Sequence, residues 1–341
     1  MGAKLDALIK EMNKKADDTI ISKGLTEYEY DRIPFSSPRM NYCTYGGLPV
    51  GKIVEFYGKF HSGKTTSALD IIANYQARED ARDVVYIDAE NSLDVVWARK
   101  IGVIVEDMYI LQPKEQSAEE IFQQIVDLVS TGEVGLWVLD SIGALMSQQA
   151  WDKELTDKTY AGVSKPLTEF GQKMVQLNHK HKCLGIGINQ ERDKLTGYGG
   201  TTTPGGNAWK HFCMVRMQFS QGDYLDEKGN KLPRGAENPA GNVVLMSMTK
   251  NKTCAPNRRV GFYTINYLHG IDYMKDLVDV AIRYGIIDKH GAWFTIIDTE
   301  SGEILKDKIQ GQSKVYEALE SNDELLDRVE QLVNIAMEAD A

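Results

Sequence analysis

The 341-residue chain has no apolar run long enough to cross a bilayer; its most apolar stretch, Val134 to Met146, is too short and is interrupted by Asp140. No basic-then-apolar segment opens the sequence, and Asp6 breaks the N-myristoylation pattern. A soluble protein of the cytoplasm is therefore expected (a host's cytoplasm, if the gene is phage-borne). Cysteine is scarce. Cys43, Cys183, Cys213 and Cys254 stand 30 or more residues apart with no Cys-x-x-Cys pair, which argues against a disulfide scaffold and predicts reduced, mostly buried thiols. His179 and His181 form one close pair with no third ligand near them, so no metal site is expected there. Nine prolines and 30 glycines exclude a collagen-like or low-complexity chain, and no repeat of 20 to 50 residues is apparent.

Basic residues are also in deficit: 39 Lys and Arg against 49 Asp and Glu give a net charge of −10. The deficit is local. Val315 to Ala341 carries eight carboxylates against Arg328 alone, and subtracting that tail leaves 41 acids against 38 bases, a balance of −3. A nearly neutral body has room for a basic groove, so the overall sign does not exclude a nucleic-acid partner.

The apolar content, 42%, is enough for a full core. Met1 to Ala16 predicts an amphipathic helix with Leu5, Leu8, Ile9 and Met12 on one side, which either folds back or docks on another molecule. From Gly51 to about Asn266, β-rich runs alternate with helical patterns: Ile53–Tyr57, Val84–Ile87, Leu136–Leu139 and Leu184–Ile188. The clearest helix carries a seam of Val163, Leu167, Phe170, Met174 and Leu177. This alternation predicts an α/β fold with a doubly wound, mainly parallel sheet. Three later runs, Met214–Phe219, Val243–Met248 and Val260–Asn266, lack long helices between them and predict an antiparallel extension at one edge. The expected organisation is an N-terminal helix and linker (1–35), a large α/β core (36–269) and a small C-terminal α/β unit (270–341). That unit should end in an acidic helix from Lys314, either competing with an anionic partner for basic surfaces or merely solubilising.

Gly58-Lys59-Phe60-His61-Ser62-Gly63-Lys64-Thr65 fits G-x-x-x-x-G-K-[ST] between a strand and a helical run that begins at Thr66. Backbone N–H groups of such a loop and the helix N-terminus surround phosphates with partial positive charge. Lys64 would contact the β and γ phosphates, and the Thr65 hydroxyl would ligate Mg²⁺. Asp140, ending an apolar strand about 75 residues later, is the matching carboxylate for Mg²⁺, acting through water. Glu90, just past the strand Val84–Ile87, is either the group that orients and deprotonates water or a solvated loop residue.

With these pieces placed, the sequence resembles the bacterial and phage RecA recombinase family, a P-loop NTPase family with a RecA-like core. The resemblance is carried by Gly47-Leu48-Pro49 through Glu55, Ser62 to Thr66, Asp88-Ala89-Glu90-Asn91-Ser92-Leu93-Asp94 and Ala98-Arg99-Lys100. Further along come Ile188-Asn189-Gln190, Gly205-Gly206-Asn207-Ala208-Trp209-Lys210, Lys250-Asn251-Lys252 and Gly291-Ala292-Trp293, so that it spans about residues 46 to 320. It implies a DNA-dependent ATPase that forms helical filaments on single-stranded DNA and pairs it with homologous double-stranded DNA in recombination and repair. By residue, it implies that Glu90 is the catalytic glutamate and Gln190 the γ-phosphate sensor. Trp97 would stack on adenine, with Asp94 near its edge. Lys250 and Lys252 would reach a neighbour's ATP. The second DNA-binding loop would be Glu191 to Gly206, with Arg192, Lys194, Tyr198, Gly199, Gly200, Gly205, Gly206, Asn207 and, beyond it, Lys210; the first would run from about Asp152 to Ser164, beside Lys165. The N-terminal helix matches the polymerisation arm. Mediator proteins or a repressor are further possible partners.

Tyr198 for Phe, a shorter second loop, the alternation of Glu191 and Asp193 with Arg192 and Lys194, and the entry segment Ser36 to Asn41 depart from the family pattern and mark a diverged member. Two rivals stay open on sequence. One is a ring-forming helicase motor, against which the Gly205-Gly206-Asn207 loop and short N-terminal helix argue; the other is a regulatory ATPase whose filament presents a surface to repressors.

Overall fold

The computed structural model describes residues 3–16, 21, 30–153, 162–193, 200–233 and 235–339. Two units result, 1–31 and 32–341. In the first, helix α1 (Ala3–Ala16) exposes Leu5, Leu8 and Met12 along one side, and the Asn13 amide exchanges two 2.9 Å bonds with the backbone of Ile21.

The second unit is built on nine strands: β1 (Ile53–Gly58), β2 (Asp83–Asp88), β3 (Met108–Leu111), β4 (Val134–Asp140), β5 (Leu184–Gln190), β6 (Val215–Leu225), β7 (Gly241–Asn251), β8 (Val260–Asn266) and β9 (Gly270–Ile271). Their order is β9-β8-β7-β6-β1-β5-β4-β2-β3, with β1 to β6 mutually parallel and the other three antiparallel. The inner parallel strands are continuous apolar runs because both faces are covered. Helix α2 (Lys64–Gln76) and a core including Val54, Phe56, Ile71 and Tyr86 fill one face. Helices α3 (Ala118–Ser130) and α4 (Ser164–His181) cover the other, where Phe122 and Phe170 stack at 4.6 Å and Trp137 meets Phe170 edge-on at 5.6 Å. The expected seam is there, with Val163, Leu167, Phe170 and Met174 buried, but beyond the half-buried Leu177 it closes on a polar residue. Buried Asn178 accepts from Trp137 Nε1 at 3.1 Å and donates to the Lys52 carbonyl.

Two sequence expectations need correction. The first of the three late runs, β6, is parallel to β1, because the chain between Gln190 and Val215 crosses over through α5 (Gly206–Phe212); the antiparallel extension starts one strand later, at β7. The acidic helix from Lys314 is two helices, α7 (Gln312–Glu320) and α8 (Asp323–Ala339), which with α6 (Tyr273–Arg283) pack on a three-stranded sheet, Ile287–His290, Trp293–Ile297 and Ile304–Gln310. Leu325, Val329, Leu332 and Val333 are buried there, and Arg328 bridges Asp298 and Glu300 at 2.8 and 2.9 Å. The acidic segment is therefore one wall of a folded unit. The unit meets the large sheet through α6, where Asp279 accepts at 3.0 Å from Arg39, whose guanidinium lies 3.2 Å over the ring of Phe262 on β8. Among the described residues no helix is long and apolar enough to cross a membrane, no group of three His, Cys, Asp or Glu could hold a metal ion, and all four cysteines are free, three of them buried.

Candidate active site

The parallel register brings Gly58 beside Gln190 and Phe219, and Asp88 beside Asp140, so the functional strand ends share one edge of the sheet, where ligands of open α/β folds bind. Between β1 and α2 the chain must turn in almost no space. A Cβ on Gly58 would lie 2.1 Å from the Phe219 carbonyl oxygen, and one on Gly63, whose φ is +90°, would lie 2.7 Å from Val244. Glycine is required at both. The free N–H groups of the first turn of α2 face the loop that these glycines permit.

Lys64 is buried at the start of α2, its ammonium donating to the Lys59 carbonyl at 2.7 Å and to Ser62 Oγ at 3.4 Å. Burial pulls its pKa below the ordinary lysine value, while Asp140, Glu90 and Glu191 pull the other way. Thr65 Oγ1 donates to Asp140 Oδ2 at 2.7 Å, and Tyr86 donates to the same oxygen at 2.9 Å. Burial raises the Asp140 carboxyl, and those two donors hold it back. Glu90 Oε1 accepts from Ser141 Oγ and, at 2.6 Å, from Gln190 Nε2, so the expected base and the expected sensor are directly bonded. Trp97 sits on the helix Val95–Ile101, whose N-cap is Asp94: its backbone N–H donates to Asp94 Oδ1 at 3.0 Å and its indole N–H to Thr66 Oγ1 at 3.1 Å.

Lys64, Thr65, Glu90, Trp97, Asp140 and Gln190 line one open cleft of about 570 Å³, together with Phe60, His61, Ser62, Gly63 and Thr66. Of the residues expected around the nucleotide, Gly58, Lys59 and Asp94 do not line it: Gly58 is buried at the end of β1, and Lys59 and Asp94 are exposed beside it. Four polar lining residues from the later strands went unnoticed in the sequence: Gln221 and Tyr224 on β6, Asn242 on β7 and Tyr267 beyond β8. Tyr267 donates to Asn242 Oδ1 at 2.8 Å. They belong to no motif, and only the antiparallel extension folding back beside β1 brings them in.

Lys250 and Lys252 do not line the cleft. Lys250 caps α5 of its own chain, donating to the carbonyls of Lys210 and His211 at 2.6 and 3.0 Å. Lys252 is exposed. Immediately after Gln190, Arg192–Asp193 pairs antiparallel with Thr201–Thr202, and Arg192 donates to the Gly143 carbonyl at 3.4 Å. Glu191 is half-buried, accepting from Thr201 Oγ1 and, at 3.0 Å, from Gln218, so its carboxylate is tied to neighbouring side chains. Gly200, Gly206 and Asn207 are exposed, Gly205 is buried at the N-cap of α5, Lys210 is half-buried, and Lys165 is exposed on the first turn of α4. Lys194, Tyr198 and Gly199, like most of the expected first DNA-binding loop, lie outside the described residues.

A glycine-rich turn entering a helix at the edge of a parallel sheet, with an acidic strand end bonded to the turn's threonine, makes this chain a P-loop NTPase. Comparison narrows the class. The family model for the RecA N-terminal domain matches residues 3–272 and that for the RecA C-terminal domain residues 275–338. Among curated relatives, the RecA protein of Fusobacterium nucleatum is 36% identical over 84% of this chain and 71% of its own length. That of Aquifex aeolicus is 33% identical over 92% and 86%, and that of Campylobacter jejuni subsp. doylei 32% over 98% and 93%. The chain belongs to the RecA family. It is an ATP-binding, DNA-dependent ATPase and recombinase that forms filaments on single-stranded DNA.

Proposed function

We propose that ATP lies in the cleft with its triphosphate along Gly58–Thr65 and its base against Trp97. The observation carrying this reading is the Glu90 carboxylate, held at once by Ser141 and by Gln190 at the very strand end that runs into the Gly-rich stretch. Lys64 exchanges the Lys59 carbonyl for β- and γ-phosphate oxygens, while backbone N–H groups of Lys59 to Thr66 enclose the phosphates. Thr65 and Asp140 fit Mg²⁺, being hard oxygen donors 2.7 Å apart of which one is a carboxylate, the latter acting through water. Bound there, Mg²⁺ would offset phosphate charge. Glu90 orients and deprotonates the attacking water. Trp97 offers an indole face to adenine, pinned by Thr66, and Asp94 holds its helix near the base edge.

Lys250 and Lys252 act on the neighbouring protomer's ATP, a role supported by their position away from this chain's own cleft. Lys250 must then release the carbonyls that end α5, which links interface closure to the segment binding DNA. Lys165, Arg192, Lys194, Tyr198, Gly199, Gly200, Gly205, Gly206, Asn207 and Lys210 grip the single strand mainly through its backbone, leaving its bases to test a second duplex by pairing. The organisation is a polymerisation arm (1–35), a core (36–269) and a C-terminal unit (270–341), working in the cytoplasm, with mediator proteins or a repressor engaging the assembled filament.

Turnover of ATP with and without single-stranded DNA, in the native chain and in Glu90→Gln, tests this reading. The expected result is strong stimulation in the native chain and, in Glu90→Gln, retained ATP binding, turnover lowered at least about 100-fold and filaments that persist. Normal turnover in Glu90→Gln removes Glu90 from its role.

A further inference from the structure

Glu55, in the middle of β1, is fully buried, and each of its carboxylate oxygens is claimed by a different element. Oε2 accepts from Arg216 Nε on β6, the neighbouring strand on one side. Oε1 accepts from Asn189 Nδ2 at 2.9 Å on β5, the neighbour on the other side. Asn189, itself fully buried, is saturated as well. Its Nδ2 also donates to the Pro204 carbonyl at 2.9 Å, and its Oδ1 accepts from the backbone N–H of Gln190 at 3.0 Å. Pro204 immediately precedes Gly205 and Gly206, whose left-handed backbones (φ +99° and +75°) open α5. One amide therefore touches both ends of the stretch Glu191 to Gly206.

A buried ion pair is weak evidence for stability alone, since its desolvation cost offsets most of its attraction, whereas a fully satisfied polar network fixes geometry. Arg216 extends this one: its guanidinium lies 4.6 Å over the Tyr57 ring, and its backbone carbonyl accepts from Thr249, the residue before Lys250. The network thus spans three adjacent strands next to the cleft without lining it.

We propose that Glu55, held by Arg216, is a fixed pivot on which Asn189 transmits movement of Gln190 to Pro204, making Glu55 and Asn189 positioning residues that set how strongly nucleotide state changes the grip on DNA. This rests on the reading of Gln190 as γ-phosphate sensor and of Glu191 to Gly206 as a DNA-binding loop. When Gln190 shifts toward a phosphate, its N–H carries Asn189 Oδ1 with it. With Oε1 of Glu55 stationary, the other Nδ2 bond must move or break, and the root of the loop moves with it.

The test is the ratio of single-stranded DNA dissociation constants measured with ADP and with a slowly hydrolysed ATP analogue, for the native chain, Glu55→Gln and Asn189→Ala. Both variants should keep DNA-free nucleotide affinity within about twofold of native and lose at least about tenfold of that ratio, with the double variant no worse than the more severe single one. A merely structural role would lower thermal stability and weaken DNA binding equally in both nucleotide states, leaving the ratio intact; that outcome overturns the proposal. If Glu55→Gln fails to fold, Asn189→Ala, which strands no buried charge, decides alone. A native chain whose DNA affinity ignores nucleotide would instead overturn the underlying functional reading, so the two failures are told apart.

Discussion

At the scale of single residues, charge and burial are in conflict around the phosphate loop, and the conflict is useful. Lys64 and Asp140 are each pushed toward neutrality by burial and held charged by neighbours, a state that arriving phosphate and a cation would reinforce. Asp70, six residues further along α2, shows the same burial without a counter-ion. It is fully buried, accepts from the Ser36 N–H at 3.0 Å and from Asn74 at 3.2 Å, and burial raises its pKa to about 6. The fold thus favours the protonated carboxyl, so its contribution is greatest below the ordinary Asp range, near pH 4, and is lost as pH rises through about 6. Asp70→Asn is expected to gain stability relative to native from pH 4 to 7, by up to about 3 kcal/mol, in denaturant melts. A difference that stays flat over that range contradicts the assignment. Glu191 carries a different lesson. The sequence presents it as one of four alternating charges, and only the fold shows Thr201 and Gln218 holding its carboxylate.

At the scale of elements, the loop between β1 and α2 depends on contacts that alanine would destroy. Gly58→Ala places a methyl group 2.1 Å from the Phe219 carbonyl, forcing β6 from β1. It should cost at least about 2 kcal/mol and abolish ATP binding, measured by thermal melting and nucleotide titration. Gly162→Ala, whose methyl meets open space, should change neither; equal effects of both would refute the steric account. The inner strands were legible because burial on both faces leaves uninterrupted apolar runs, and the phosphate loop because its glycines and lysine are dictated by a backbone-to-phosphate approach. The edge strand β3 was not named, since it exposes Tyr109 and Ile110 and carries no such run. Helix α3 went unnamed although its signal was present: Ser117 and Glu120 form a reciprocal capping box. The parallel sense of β6 was illegible because its crossover is a short helix after a Gly-rich stretch, which reads as a turn.

At the scale of the whole molecule, the charge imbalance has a structural home. The acidic C-terminal segment buries one face and pairs through Arg328, so its carboxylates from Glu317 to Glu338 sit on a folded wall rather than on a free tail. Gln221, Tyr224, Asn242 and Tyr267 enter the cleft from far along the chain, so this side of its wall could be known only from the fold. The two lysines expected to touch ATP lie outside that wall; acting on a neighbour's site, as proposed, would require a head-to-tail contact between identical chains, the kind that propagates as an open helix.

That arrangement can be tested by mixing two inactive proteins. Glu90→Gln retains both lysines, and the double variant Lys250→Ala, Lys252→Ala retains Glu90. If each site is completed by its neighbour, an equal mixture on single-stranded DNA should recover roughly a quarter of native ATP turnover, because about one junction in four joins an intact glutamate to intact lysines. A mixture no more active than either protein alone would contradict an ATP site shared between protomers.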